Sequence, residues 1–224
     1  MNILELRLKE KLERERANNG IITLSVLMPT IPERWKMFRK LKLSVDLQVR
    51  QVNKIHPTLG GVEVLVDESP KFKDGGPSIG EKRQALLEAA AGRYVCFLDD
   101  DESIAPNYVE AILRLCYTMP DIGTFSSLSK LENFWCVVVM SLFHEENQQA
   151  FPGIVLRKPW HICPVKREIA LKHKFPSSNY GEDWVWFDQV LKDCKTESNT
   201  TAILHQYNHD TKVSQADNVT TSIG

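Results

Sequence analysis

Apolar positions recur along this chain with two periods, near two in some stretches and near 3.6 in others, and their alternation predicts strands and helices in turn. Leu4, Leu8 and Leu12 stand at helical spacing among mixed Arg, Lys and Glu in residues 2–17, and the pattern stops at Asn18-Asn19-Gly20. This predicts an N-terminal amphipathic helix (1–18) with a narrow apolar stripe, able to dock on the domain, to support weak self-association, or to touch a membrane surface. Leu24 to Met28 is the first predicted strand, ended by Pro29. Thr30-Ile31-Pro32-Glu33 has the form of a capping box, and the helix it opens carries Trp35, Phe38, Leu41 and Val45. Residues 48–61 read as a loop because His56-Pro57 and Gly60-Gly61 break the pattern. Val62 to Val66 is the second strand, and the polar segment Ser69 to Pro77 is irregular. Ser78-Ile79-Gly80-Glu81 is a second capping box, before a helix with Ile79, Leu86, Leu87 and Ala90 inward that stops at Gly92. Tyr94 to Leu98 is then a buried strand ending in Asp99-Asp100-Asp101-Glu102. The order β-α-β-α-β argues for a parallel sheet with right-handed crossovers.

The second half is less regular. Pro106 opens a helix with Val109, Ile112, Leu113 and Cys116 inward, closed by the Met119-Pro120-Asp121 turn. Phe134 to Phe143 is an almost unbroken apolar run, too short to span a membrane and read as a buried strand. Residues 144–153 read as a loop, Ile154 to Arg157 as a strand, Val165 to Lys172 as a short helix, and Glu182 to Cys194 as a longer one bearing Trp186, Phe187, Val190 and Leu191. Ala202 to His205 is a last strand, and beyond Asp210 the chain is an aperiodic polar tail (211–224). One domain over 19–210 results, with a first half at about 19–105 and a second at about 106–210.

Composition narrows the class. With 42% apolar and 25% charged residues in 224, the chain can bury a globular core. Its formal charge of -1 provides no electrostatic argument for a polyanion partner. Five cysteines without a CxxC spacing read as buried thiols of a reducing compartment. No apolar run has signal-peptide form and no membrane span is seen, so a cytoplasmic location is expected.

The acidic edge carries the candidate chemistry. Ligands of open α/β sheets bind outside the carboxyl ends of strands, where Asp99, Asp100 and Asp101 arrive together. Adjacent carboxylates repel unless a positive group sits among them, and hard oxygen donors suit Mg2+ or Mn2+ with a phosphate substrate. A solvated acidic turn is the plainer alternative. The start of the first helix, behind Pro29, Thr30 and Arg34, forms a second anion-friendly edge.

Four features in order, Leu24-Ser-Val-Leu-Met-Pro-Thr30, Val64-Leu-Val-Asp67, Gly80-Glu-Lys-Arg83 running to Gly92, and Phe97-Leu-Asp-Asp-Asp101, span the first half. A fifth is Gly181-Glu182-Asp183-Trp184. Together they resemble the GT-A fold glycosyltransferases, especially the family 2 type. The chain departs from that pattern at Glu68, where a second Asp is common, and at Gln84, where Asn is common. The resemblance implies an α/β fold of GT-A (Rossmann-like) type, a three-layer α/β/α sandwich with a mainly parallel central sheet. It also implies a nucleotide-sugar donor, with a UDP-sugar favoured, Mn2+ or Mg2+ on its diphosphate, and inverting transfer to an acceptor hydroxyl.

On that resemblance Asp67 takes the donor base, or caps its own loop. Asp99 takes the ribose or the metal, Asp101 the metal directly, and Asp100 is a donor-side contact or simply solvated. Lys82 and Arg83 neutralise the diphosphate, or form an exposed pair. Asp183 is the general base, or a helix cap, and Glu182 orients donor or acceptor. His205 or His209 reaches the metal or is structural, His161 is open in the same way, and Trp160, Trp184 or Trp186 stacks on a sugar or belongs to the core. The acceptor stays open among a glycan, a lipid-linked sugar, a protein side chain and a hydroxylated nucleobase. Metal-dependent phosphoryl or nucleotidyl transfer is a rival chemistry, and a nucleotide-sugar-binding module on a degenerate transferase fold a rival without chemistry.

Overall fold

Three parallel strands organise the first half of the chain in the computed structural model, which describes residues 22–131 and 134–207. The expected helix over residues 2–17, His209 and the tail over 211–224 lie outside the described residues. Strand β1 (Ile22–Pro29) runs between β2 (Gly61–Asp67) and β3 (Tyr94–Phe97), pairing Val26 with Val64 on one side and with Cys96 on the other. Every β1 residue except Thr23 is buried, because helices cover both faces, which is why the strand reads as an apolar run instead of an alternation.

Helix α1 (Trp35–Ile55) replaces much of the predicted 48–61 loop. Its buried face continues as Leu41, Val45, Gln48 and Val52, a helical spacing with a polar residue in the third place. Gln48 disguises the helix because it is polar yet buried. Its amide donates to the Ala105 carbonyl at 3.0 Å and its oxygen accepts from the Val109 N–H at 3.0 Å, securing the first turn of α3 (Tyr108–Tyr117). Helix α2 (Ile79–Ala89) opens with the expected capping box: Ser78 accepts from the Glu81 N–H at 3.2 Å and Glu81 from the Ser78 N–H at 2.7 Å. The box expected at Thr30 and Glu33 does not form. Pro32–Arg34 is a single 3-10 turn capped by no side chain, and the Thr30 hydroxyl donates instead to Asp100 at 2.8 Å.

Behind α2 the chain passes very close to β1. A Cβ at Gly92 would lie 2.5 Å from Ser25 Oγ and 2.6 Å from its backbone nitrogen, so only glycine fits. Buried Glu63 binds this joint, accepting from Ser25 Oγ and from the Ala91 N–H, both at 2.6 Å.

The rest of the chain contributes β4 (Ser103–Ile104), β5 (Ile122–Leu131), β6 (Phe134–Met140), β7 (Gln148–Phe151), β8 (Ile154–Arg157), β9 (Val165–Lys166) and β10 (Glu197–Tyr207). Among the described residues the sheet has ten strands, eight of them in the order β2-β1-β3-β9-β5-β6-β8-β7, with β4 and β10 off this path. Strand β10 lies parallel to β5 and antiparallel to β4. Helices α4 (Arg167–Ala170) and α5 (Glu182–Asp193) pack on the same side as α2, while α1 and α3 pack together.

Several expectations change here. The predicted helix over 165–172 is a two-residue strand followed by one helical turn, because β9 pairs with both β3 and β5. The predicted 144–153 loop contains edge strand β7. Strand β5 was not expected because it carries hydroxyls that the sheet buries, Thr124, Ser126, Ser127 and Ser129 being fully buried, and β10 begins five positions before Ala202, in a polar stretch that pairs with β5. The apolar run from Phe134 is a strand only to Met140, and it is not buried throughout, since Phe134 and Trp135 are 74% and 49% exposed. Trp186 belongs to the core, stacked on Phe175 at 4.1 Å with Phe97 edge-on at 5.7 Å. All five cysteines are free and buried, and among the described residues no helix is long and apolar enough to cross a membrane.

Candidate active site

The acidic turn after β3 is held from below. Glu102 accepts from the Asp99 N–H at 2.9 Å, and its other oxygen lies 3.0 Å from His205 Nε2 on β10. His205 Nδ1 is 2.8 Å from Ser127 Oγ, so this buried histidine is held beneath the turn with its Nε2 toward Glu102. The role expected of it as a metal ligand finds no geometric support in these contacts.

Each aspartate has its own environment. Asp100 is not solvated: it is 2% exposed, 2.6 Å from Arg34 Nη1, and accepts from Thr30. Burial pushes its carboxyl up to about 7 despite Arg34 and Thr30. Asp101 accepts from Arg34 Nη2 through Oδ2 at 2.7 Å, and burial together with Asp99 raises it. Asp99 accepts from Arg83 Nη2 at 2.8 and 3.1 Å. Burial opposes its ionisation, but Arg83 and His161 hold it well below the usual carboxylate range. The positive charge that three adjacent carboxylates require is therefore built into the protein as two arginines.

Lys82 and Arg83 are not the exposed pair of the plainer reading, being 2% and 3% exposed. Lys82 donates to the carbonyls of Thr30, at 2.7 Å, and of Ser69, tying the loops that follow β1 and β2. Burial lowers its pKa, with Asp67 and Asp100 acting in the opposite direction. Asp67 accepts from the Ser69 N–H at 2.9 Å, which is the loop-capping role. Arg83 crosses to the other half, its Nε donating to Glu182 at 3.0 Å.

Glu182 and Asp183 form the first turn of α5, after Gly181 in the left-handed region at φ 70°. Glu182 is buried, and burial raises its pKa against the pull of Arg83. Asp183 lies 3.0 Å from His161 Nδ1; burial would push it up, but His161 and Arg83 keep it well below the usual range. His161 also has Nε2 3.6 Å from Asp99. Burial and Arg83 disfavour its charge, yet its two carboxylate partners raise it to about 9.

Asp99, Asp101 and Asp183 keep 30%, 32% and 31% of their side chains exposed; Asp101 belongs to the ion-pair group of Arg34 and Asp100, and Asp99 and Asp183 belong to that of Arg83, Glu182 and His161. Nearby, the Arg157 guanidinium lies 3.9 Å over Trp160, and exposed Trp184 donates to Glu146 at 3.3 Å. Sequence reasoning left His161 and Arg34 without their bridging roles; no motif marks them, since each acts on partners distant in the chain. Among the described residues no three His, Cys, Asp or Glu side chains converge as a ready metal cage.

No protein-family model matches the chain, and no curated protein matches its sequence. Its fold is similar to that of S. aureus TarS. The structure of TarS 1-349 aligns with a TM-score of 0.57 at 15% identity, covering 84% of this chain and 60% of that one. The same TarS segment with UDP aligns at 0.58 and 15%, covering 84% and 61%, and with UDP-GlcNAc at 0.56 and 13%, covering 84% and 59%. The chain thus spans about 60% of the length of those structures. At this identity the likeness is one of fold: a mixed α/β architecture of GT-A, Rossmann-like type on a large central sheet.

Proposed function

We propose that this chain is a glycosyltransferase that moves a sugar from a nucleotide-sugar donor, a UDP-sugar by preference, to an acceptor hydroxyl with inversion. The observation that carries the reading is the meeting of two carboxylate groups from opposite halves. Asp99 and Asp101 stand at the end of β3, Asp183 stands at the start of α5, and His161 and Arg83 link them. TarS, similar in fold, has been seen in complex with UDP and with UDP-GlcNAc, which supports a donor of that class.

In this reading the base lies by Asp67, the ribose by Asp99 and the diphosphate at the acidic turn beside Pro29 and Thr30. A divalent cation, Mn2+ or Mg2+, fits the donor set. Asp101 gives one oxygen to Arg34 and keeps Oδ1, Asp99 is partly exposed, and both are hard carboxylate donors. When bound, the cation neutralises charge on the departing diphosphate. Arg34, Lys82 and Arg83 act by holding the loops and carboxylates in place, and buried Asp100 anchors Arg34.

Asp183 does the proton chemistry. The bond from the anomeric carbon to the diphosphate oxygen breaks as the bond to the acceptor oxygen forms, and the acceptor proton passes to Asp183. His161 and Arg83 hold this carboxylate ionised, so it can accept the proton as the anomeric carbon becomes cation-like and the attacking hydroxyl becomes acidic. Glu182, locked to Arg83, fixes the helix start that presents Asp183.

A thermal-shift panel of UDP-, GDP- and dTDP-sugars with manganese tests the donor. A ligand at about 100 times its dissociation constant adds roughly 2.7 kcal/mol of stability. The UDP-sugars should shift the melting temperature most, and both chelation of the metal and Asp101→Ala should weaken their affinity by calorimetry. Equal affinity with and without manganese would remove the metal from the reading. Binding without turnover of donor in the presence of acceptors would favour the binding-module alternative.

A further inference from the structure

We propose that His161 is the positioning residue that sets the Asp183 carboxylate against the donor, by holding it from Nδ1 while Nε2 faces Asp99. The proposal rests on the glycosyl-transfer reading and adds to it a residue that touches neither donor nor acceptor. The two contacts are unequal, with Nδ1 3.0 Å from Asp183 and Nε2 3.6 Å from Asp99, so the tighter hold is on the base. Among the described residues Asp183 forms its ion pair with His161, whose Nδ1 lies 3.0 Å from Oδ2. Without His161 the carboxylate is free to turn about its side-chain torsions.

The ring itself has little freedom. It is 8% exposed, faces the edge of Phe97 at 6.3 Å, and lies nearly parallel to Trp160 at an interplanar angle of 14°. Its carbonyl accepts from the Phe97 N–H at 3.0 Å, fixing the backbone to the end of β3, the strand that delivers Asp99. His161 is thus referenced to the donor edge and passes that reference to a carboxylate on α5. Such coupling matters because general-base catalysis requires the base within hydrogen-bond reach of the acceptor hydroxyl while that oxygen aims at the anomeric carbon. A misplacement of about 1 Å is enough to cost about 100-fold in rate.

The two nitrogens can be tested separately without a titrating group. In His161→Asn the amide nitrogen stands near the place of Nδ1 and still donates to Asp183, whereas in His161→Gln it reaches toward the place of Nε2 and Asp99. With donor and manganese saturating, release of UDP to acceptor or to water should fall about 100-fold in kcat for His161→Ala and His161→Gln. His161→Asn should stay within about tenfold of the native rate, and donor affinity by calorimetry should change less than about threefold in all three. Combining His161→Ala with Asp183→Asn should lower the rate no further than Asp183→Asn alone, since the histidine acts through that carboxylate. A merely structural role predicts otherwise. Equal losses in the Asn and Gln variants, or a multiplicative loss in the double variant, would overturn the proposal. Failure of the underlying reading shows in a different place, as native protein that binds no UDP-sugar or releases no UDP from one, and this would overturn the role of His161 as well.

Discussion

Lys82 shows how one residue's surroundings decide between two roles that its position in the chain leaves open. In the first turn of α2 it was expected to meet a diphosphate, but its ammonium is buried and directed to the carbonyls of Thr30 and Ser69. Lys82→Met should therefore cost about 2 kcal/mol in urea unfolding, because two carbonyls lose a charged donor, and donor affinity should fall as the loops loosen. A lysine serving only the diphosphate would instead lose donor affinity with stability unchanged or improved. The aspartates teach the same lesson. Three consecutive identical residues acquire three characters, because Arg34 lies 67 positions from Asp101 in the chain and Arg83 lies 16 from Asp99. Sequence locates the carboxylates; only the fold assigns their partners.

Elements with local chemistry were legible. The capping box at Ser78 formed, as did the apolar strands β1, β2 and β3 and the helix from Glu182, because their signals lie within a few residues of each other. Elements stabilised from across the sheet were hidden. Strand β5 looks polar because its hydroxyls find partners on β10, as Thr124 does with Glu197 at 3.2 Å and Ser127 with His205 at 2.8 Å. The beginnings of β5 and β10 are joined by Asp121, which accepts from Lys166 and from the backbone N–H groups of Lys195 and Thr196, each at 2.9 to 3.0 Å. Burial works against its ionisation, but these donors bring its pKa from 3.8 down to about 2. A depressed carboxylate stabilises the fold fully above its unfolded pKa near 4, and that contribution disappears as pH falls through about 2. Asp121→Asn should thus lower stability by about 1–2 kcal/mol at pH 7 with the difference shrinking between about pH 4 and pH 2. A difference that is constant across this window would mean that the hydrogen bonds, not the charge, hold the junction.

At the scale of the whole molecule, two halves of the sheet meet along β3, β9 and β5, and the candidate site lies where the acidic turn of one faces the first turn of α5 from the other. The first half was readable because a parallel β-α-β-α-β order has few topologies, and its strand ends fall at one edge. The junction was not, since His161 and Arg83 bridge carboxylates by tertiary contact without a spacing rule. That junction is the central claim, and Asp183→Asn tests it most directly, because Asn keeps the shape but cannot take a proton. With UDP-sugar, manganese and an accepted acceptor, transfer by Asp183→Asn should fall about 100-fold or more, while donor affinity and melting temperature on the same preparation change little and the native product shows inverted anomeric configuration. Transfer at the native rate with unchanged melting, or a product of retained configuration, would contradict the account.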